Sequence, residues 1–213
     1  MKTRIKGLYA VTPETEDTPH LLEIVLQALE GGVRLLQYRS KSNDVILRYA
    51  QAEQLRALCR RFDALFIIND DLGLAQSVDA DGVHLGKNDM SIAAVRARAG
   101  DQMLIGASCY ADLKLAKRAQ QQGATYVAFG SFFVSPTKPH ASPAPLELLD
   151  EAKKDLALPI VAIGGITFNN ARALIGRGAD ALAVVSELFG APDVLKKAQQ
   201  LSKLFEEEIF DLP

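Results

Sequence analysis

The chain has 213 residues, of which 48% are hydrophobic and 23% charged, with a formal net charge of −2. That balance is ordinary for a globular fold and offers no broad basic surface, which argues against nucleic acid as a partner. No stretch reaches the roughly 18 uninterrupted apolar residues of a membrane span, and the apolar run behind Lys2, Arg4 and Lys6 is too short for a signal peptide, so the expected location is cytoplasmic.

Taken in chain order, eight runs rich in Val, Ile, Leu and Phe read as strands: GLYAVT, VRLLQYR, ALFIIND, GVHLG, MLIGAS, YVAFGSF, PIVAIGG and ALAVVS. Several are apolar almost throughout, as parallel strands covered on both faces are. Between and after them, helical spacing is predicted over roughly 19–30, 43–61, 71–78, 91–99, 111–122, 144–155, 167–176 and 192–207. EGG, QQGA and RGAD place glycine where a helix must stop before the next strand. Eight βα units without a linker predict a single α/β domain over 1–213, a closed (β/α)8 barrel. An open doubly wound sheet is the alternative, but the first strand lacks a GxGxxG turn. Cys59 and Cys109 lie far apart, without metal or redox spacing, and read as buried or reduced thiols, Cys109 just after the fifth strand.

In a barrel of this kind, function sits on the loops after the C-terminal ends of the strands. Strand three runs into Asn69, Asp70 and Asp71, and strand four into GKND with Asp89. Carboxylates ending neighbouring strands can share one Mg²⁺, which takes one or two of them and fills its octahedron with water and phosphate oxygens. The competing reading makes these acids helix caps, the natural one for Asp71; Ser91 is better placed than Asp89 to cap the next helix. Arg39 and Lys41 alternate along an extended segment and face one way, and Lys138 joins them on the same rim. Three cations and two acids converging there suit a departing diphosphate. AIGGIT and VVSELF, at the ends of strands seven and eight, suggest a second anionic site built from backbone N–H groups, with Gly165, Val185 and Ser186. The alternative there is glycine needed only for a tight turn. The long loop VSPTKPHASPAP offers Ser135, Thr137 and Lys138 as ligand contacts.

The motifs QYRSK, NDD, VHLGKND, GAS, SPTK, IGGI and VVS, in that order over essentially the whole chain, resemble the thiamine phosphate synthases. The resemblance implies an enzyme that joins an aminopyrimidine diphosphate to a thiazole phosphate and releases pyrophosphate. Gln37 and Ser108 would contact the pyrimidine. Arg39, Lys41, Asn69 and Lys138 would hold its diphosphate, with Asp70 and Asp89 as Mg²⁺ ligands. Ser135, Thr137, Gly165, Val185 and Ser186 would surround the thiazole phosphate. The family's loop usually reads Thr-x-Thr-Lys, whereas here Ser135 and Pro136 stand first; Val185 replaces a frequent Ile. The implied mechanism needs no protein nucleophile, and no Ser/His/Asp or Cys/His arrangement is evident.

Three rivals compete. A thiazole tautomerase would need a general acid/base, which neither His140, read as a surface residue, nor His84, read as a packed strand residue, supplies. A non-catalytic precursor-binding barrel would not need the metal ligands. A generic phosphate-binding barrel leaves the acids and cations unexplained. LLEIVLQAL and LFEEEIF offer apolar faces on which copies of the chain could pair as a homo-oligomer.

Overall fold

The computed structural model describes residues 4–134 and 143–207. Its strands are β1 (Gly7–Val11), β2 (Leu35–Tyr38), β3 (Leu65–Asn69), β4 (Gly82–Leu85), β5 (Leu104–Tyr110), β6 (Tyr126–Phe129), β7 (Ile160–Ile163) and β8 (Ala181–Val184). The helices are α1 (Thr18–Glu30), α2 (Val45–Arg61), α3 (Leu72–Ser77), α4 (Ile92–Ala99), α5 (Leu113–Gln121), α6 (Glu147–Asp155), α7 (Phe168–Ile175), α8 (Ser186–Phe189) and α9 (Val194–Glu207). Each strand pairs in parallel with the next, and β8 closes on β1 from Gly7↔Ala181 to Ala10↔Val184, giving the expected eight-stranded barrel.

The near-continuous apolar strands have two buried faces. Leu36, Phe66, Val83, Ile105, Val127, Ala162 and Leu182 point outward into the layer under the helices. Tyr9, Leu35, Ile67, Tyr126, Ala128, Val161 and Ala183 fill the barrel interior. Strand side chains alternate between faces, so this parity also turns Gln37, His84 and Ser108 inward.

Helix starts follow local chemistry. Asp17, Asp44, Asp71, Ser91 and Asp112 stand at N-caps, each side chain accepting a backbone N–H of the first turn. Gly32, Gly123 and Gly178 take the positive φ predicted for glycine at the helix stops. The short α8 was not anticipated; four residues are too few to show helical periodicity. Cys109 lies within β5 rather than beyond it, because the ladder continues past a register shift to pair Tyr110 with Phe129. Burial pushes both thiols up to about 12, so neither is a ready nucleophile.

The apolar face of LLEIVLQAL is largely used within the chain, as are Leu204 and Phe205 of LFEEEIF, whereas Ile209 and Phe210 lie outside the described residues. Leu21, Ile24, Val25, Ala28 and Leu29 of α1 are buried, as are Leu201, Leu204 and Phe205 of α9, and the two helices pack together. Among the described residues no helix is long and apolar enough to cross a membrane.

Candidate active site

The C-terminal ends of β2, β3 and β4 carry the charged half of the rim. The Asp70 N–H extends the ladder by donating to the His84 carbonyl at 2.8 Å, which sets Asp70 beside the end of β4. There it takes φ 63°, a left-handed conformation that Asp tolerates better than most side chains. Asp89 closes the loop after β4 by accepting the Gly86 N–H at 2.6 Å. The two carboxyl groups line one pocket with Asp71 and Leu72, close enough for each to act on the other's charge. Partial burial first, and then Asp89, raise Asp70 from 3.8 to about 6, while the Asn69 amide, 2.6 Å away, and Arg39 pull the other way. Neither acid caps a helix: Asp71 does so, accepting Leu74 N–H at 2.9 Å and Arg48 Nη2 at 2.6 Å.

This arrangement tests the fit of a divalent cation. Two carboxylates brought into contact repel when both are ionised, and either a proton or a cation between them relieves the repulsion. Among the described residues no His, Cys or further acid completes a set of three ligands with them. Two carboxylate donors, leaving most positions to water and phosphate, suit Mg²⁺ rather than a closed zinc site.

Arg39 and Lys41 do turn the same way, and the structure names what they meet. Arg39 Nη1 lies 2.6 Å and Lys41 Nζ 3.8 Å from Oε1 of Glu14, in the β1–α1 loop. The sequence reading missed Glu14, which stands among ordinary polar loop residues in PETED and carries no motif. Lys138, Ser135 and Thr137, together with His140, lie outside the described residues.

Opposite, over β5 to β8, a cavity of about 420 Å³ opens between Ser108, Tyr110, Ser131, Val134, Gly165, Val185 and Ser186, with Glu187 at its edge. No described lining residue is Lys or Arg. Gly164 and Gly165 have φ 100° and 64°, and a Cβ on Gly165 would press on the Phe133 and Val134 carbonyls. Both glycines are therefore required by the turn and by the stem of the β6–α6 loop, which donates Phe133 N–H to the Gly164 carbonyl at 3.0 Å. The Gly165 and Ile166 N–H groups donate to no described residue. The start of α7 is already occupied: Glu187 accepts Phe168 N–H at 3.2 Å and Lys197 Nζ at 2.9 Å. An anion here must use the turn and the beginning of α8 instead.

Tyr110, also unforeseen, lines this cavity with φ 52°. Bulky residues rarely adopt that conformation, and such strain gathers at functional positions. The register shift in β5 places it there, and nothing in the sequence signals it.

Beneath both halves runs a buried polar chain. Gln37 Nε2 donates to Tyr9 Oη at 2.9 Å, and Tyr9 Oη lies 2.8 Å from Tyr126 Oη. Tyr126 Oη is 3.0 Å from His84 Nδ1, and His84 Nε2 is 2.9 Å from Ser108 Oγ. Burial pushes Tyr9 up to about 12 and His84 down to about 4, so all the members are neutral near pH 7. His84 is packed in its strand as predicted, yet it is also hydrogen-bonded at both ring nitrogens. Counting alternate residues along β1, β4 and β6 would have placed Tyr9, His84 and Tyr126 on the interior face.

Known proteins resemble this chain over nearly its whole length. The thiamine monophosphate synthase family matches residues 8–188. The chain belongs to that family. It is 56% identical over 208 residues to a thiamine-phosphate synthase of Thiobacillus denitrificans, covering 98% of this chain and 99% of that one. It is 49% identical over 209 residues to a thiamine-phosphate synthase of Nitrosospira multiformis, covering 98% and 89%. A solved structure, thiamine phosphate pyrophosphorylase from Pyrococcus furiosus, superposes with a TM-score of 0.85 at 38% identity, covering 96% of this chain and 97% of that one.

Proposed function

We propose that the chain is a transferase of thiamine biosynthesis, which condenses 4-amino-2-methyl-5-hydroxymethylpyrimidine diphosphate with a thiazole phosphate to give thiamine phosphate and pyrophosphate. Family membership at 56% identity over nearly the whole chain supports the reaction. The observation that carries the site reading is the Asp70–Asp89 pair, two carboxyl groups that line one pocket at the ends of neighbouring strands, close enough to Arg39 for its charge to be felt.

In this reading the pyrimidine C–O bond breaks with its electron pair leaving on pyrophosphate, and the aminopyrimidine ring delocalises the positive charge left on carbon. The thiazole nitrogen lone pair then forms the C–N bond. Charge accumulates on the leaving group, so the protein's contribution is positioning and electrostatics. Asp70 and Asp89 would hold Mg²⁺, which when bound neutralises the diphosphate and makes it a better leaving group. Arg39, Lys41 and Lys138 hold the diphosphate oxygens, assisted by the Asn69 amide. Gln37 and Ser108 orient the pyrimidine. Gly165, Val185, Ser186, Ser135 and Thr137 seat the thiazole phosphate in the cavity, where backbone N–H donors suffice because this phosphate does not leave.

The test is to incubate the protein with both substrates and Mg²⁺ and to follow pyrophosphate and thiamine phosphate. Asp70→Asn and Asp89→Asn should each lower turnover by roughly a hundredfold or more, since each removes a ligand of the cation that would neutralise the leaving group. Undiminished turnover in folded variants would retain the reaction and remove the metal assignment. Absence of product from the folded wild type would remove the reaction.

A further inference from the structure

The polar chain between Gln37 and Ser108 has a direction. A Gln Nε2 can only donate, so Tyr9 Oη accepts from it. With that position taken, the only described partner for the Tyr9 proton is Tyr126 Oη. Tyr126 then turns its own proton toward His84 Nδ1, which must accept. A neutral imidazole that accepts at Nδ1 carries its proton on Nε2, and this proton points at Ser108 Oγ. Any other ordering that keeps this Gln37 orientation leaves a buried O–H or N–H without a partner, at a cost buried polar groups rarely bear. Ser108 therefore receives a hydrogen bond from inside the barrel and has its own proton free for the cavity it lines. At the other end, Gln37 Oε1 bonds to no described residue and remains an acceptor.

The barrel makes room for this chain. A Cβ on Gly106 would collide with Tyr126 Cζ and Oη and with His84 Nδ1. The Tyr126 ring is further held between Tyr9, at 6.1 Å between centroids, and His84, at 5.6 Å.

We propose that Tyr9, Tyr126 and His84 are positioning residues whose ordered protons make Ser108 a donor and Gln37 Oε1 an acceptor, so that the site selects a heterocycle presenting a ring-nitrogen lone pair and an exocyclic amine. This deepens the reading of Gln37 and Ser108 given above and rests on it. A ring bearing a carbonyl beside an N–H, in place of the amine and the bare nitrogen, would present a lone pair to Gln37 Oε1 and a proton to the Ser108 proton. The same pocket would reject it although its shape is nearly unchanged, because discrimination against mispaired polar groups exceeds discrimination by size.

Two measurements test this. The first is ¹⁵N NMR of His84 in the wild-type protein at pH 7, assigned with His84→Gln. The Nε2–H tautomer is expected; the Nδ1–H tautomer would reverse every donor in the chain and overturn the proposal. This readout requires no turnover, so it fails or succeeds independently of the reaction assigned above. The second is Tyr126→Phe, which keeps the ring and removes the central relay. With an unchanged unfolding midpoint, its kcat/KM for the aminopyrimidine diphosphate should fall about tenfold or more, as expected for losing one oriented hydrogen bond in the reacting complex, while the KM for the thiazole phosphate stays within about twofold. The variant should also lose preference for the amino ring over its carbonyl analogue. Wild-type kcat/KM and selectivity in the folded variant would overturn the positioning role.

Discussion

The two halves of the rim offer an anion different means of binding. Over β2 to β4 the structure uses side-chain charge: Asp70, Asp89, Arg39 and Lys41, with Glu14 between the cations. Over β7 and β8 it offers backbone and shape, with two positive-φ glycines, N–H groups that donate to no described residue and no described Lys or Arg in the lining. The difference follows from the chemistry each half is proposed to serve. A leaving diphosphate gains charge as its bond breaks, so fixed charges beside it stabilise the transition state more than the ground state. A phosphate that is only an anchor requires binding alone, and backbone donors supply it without a strong local field.

Exchanging the damage between the halves sharpens this contrast. Arg39→Met should lower kcat/KM for the pyrimidine diphosphate by roughly a hundredfold through kcat, leaving the KM for the thiazole phosphate nearly unchanged. Gly165→Ala should do the converse, raising the thiazole phosphate KM about tenfold. Its positive φ and its contact with the Phe133 and Val134 carbonyls should also cost about 1–3 kcal/mol of stability. Steady-state kinetics with each substrate varied in turn checks both. A common loss in both parameters from either variant would show the halves to be one coupled unit.

A smaller effect concerns the acids without Mg²⁺. Asp70 is raised from 3.8 to about 6 in the folded chain, so the native state binds its proton more tightly than the unfolded state does. The stability this contributes is present below about pH 4 and is lost as pH rises through about 6. Asp70→Asn removes that loss. Its urea midpoint, measured without metal, should gain on the wild type between pH 4 and 6 and stay above it at pH 7. His84, lowered from 6.5 to about 4, acts oppositely, losing stability as pH falls through that window. The variant's own stability should therefore rise more steeply with pH than the wild type's. A midpoint difference independent of pH would mean that the carboxyl pair carries no strain.

The smallest effect is expected from Glu14→Gln. An exposed ion pair contributes at most about 1 kcal/mol, so releasing Arg39 and Lys41 should strengthen pyrophosphate inhibition only about two- to fivefold, most visibly at low salt. Weaker inhibition would instead show that Glu14 holds the cations in their binding geometry.

Much of this was legible in the residues themselves. Apolar runs alternating with helical spacing predicted eight βα units, because a parallel strand buried on both faces leaves a continuous hydrophobic signature and a covering helix leaves a periodic one. Helix starts could be read from Asp71 and Ser91 because a cap acts within three residues of chain. The motif residues Asp70, Asp89, Gln37 and Ser108 were legible because they stand at strand ends, where barrel topology alone brings them to one rim. What tertiary structure decided are relations between distant positions. Tyr9 and Tyr126 read as ordinary apolar strand residues, and only barrel closure sets their hydroxyls 2.8 Å apart across 117 residues. Glu14 is one polar loop residue among several until the β1–α1 loop folds over Arg39. Tyr110 acquires its strained backbone from a register shift between β5 and β6, a property of the pair and of neither strand alone. Local patterns thus specified which elements form and where function gathers, while packing in three dimensions set the pairing of protons and charges, because hydrogen bonds and ion pairs depend on distances that one-dimensional spacing does not contain.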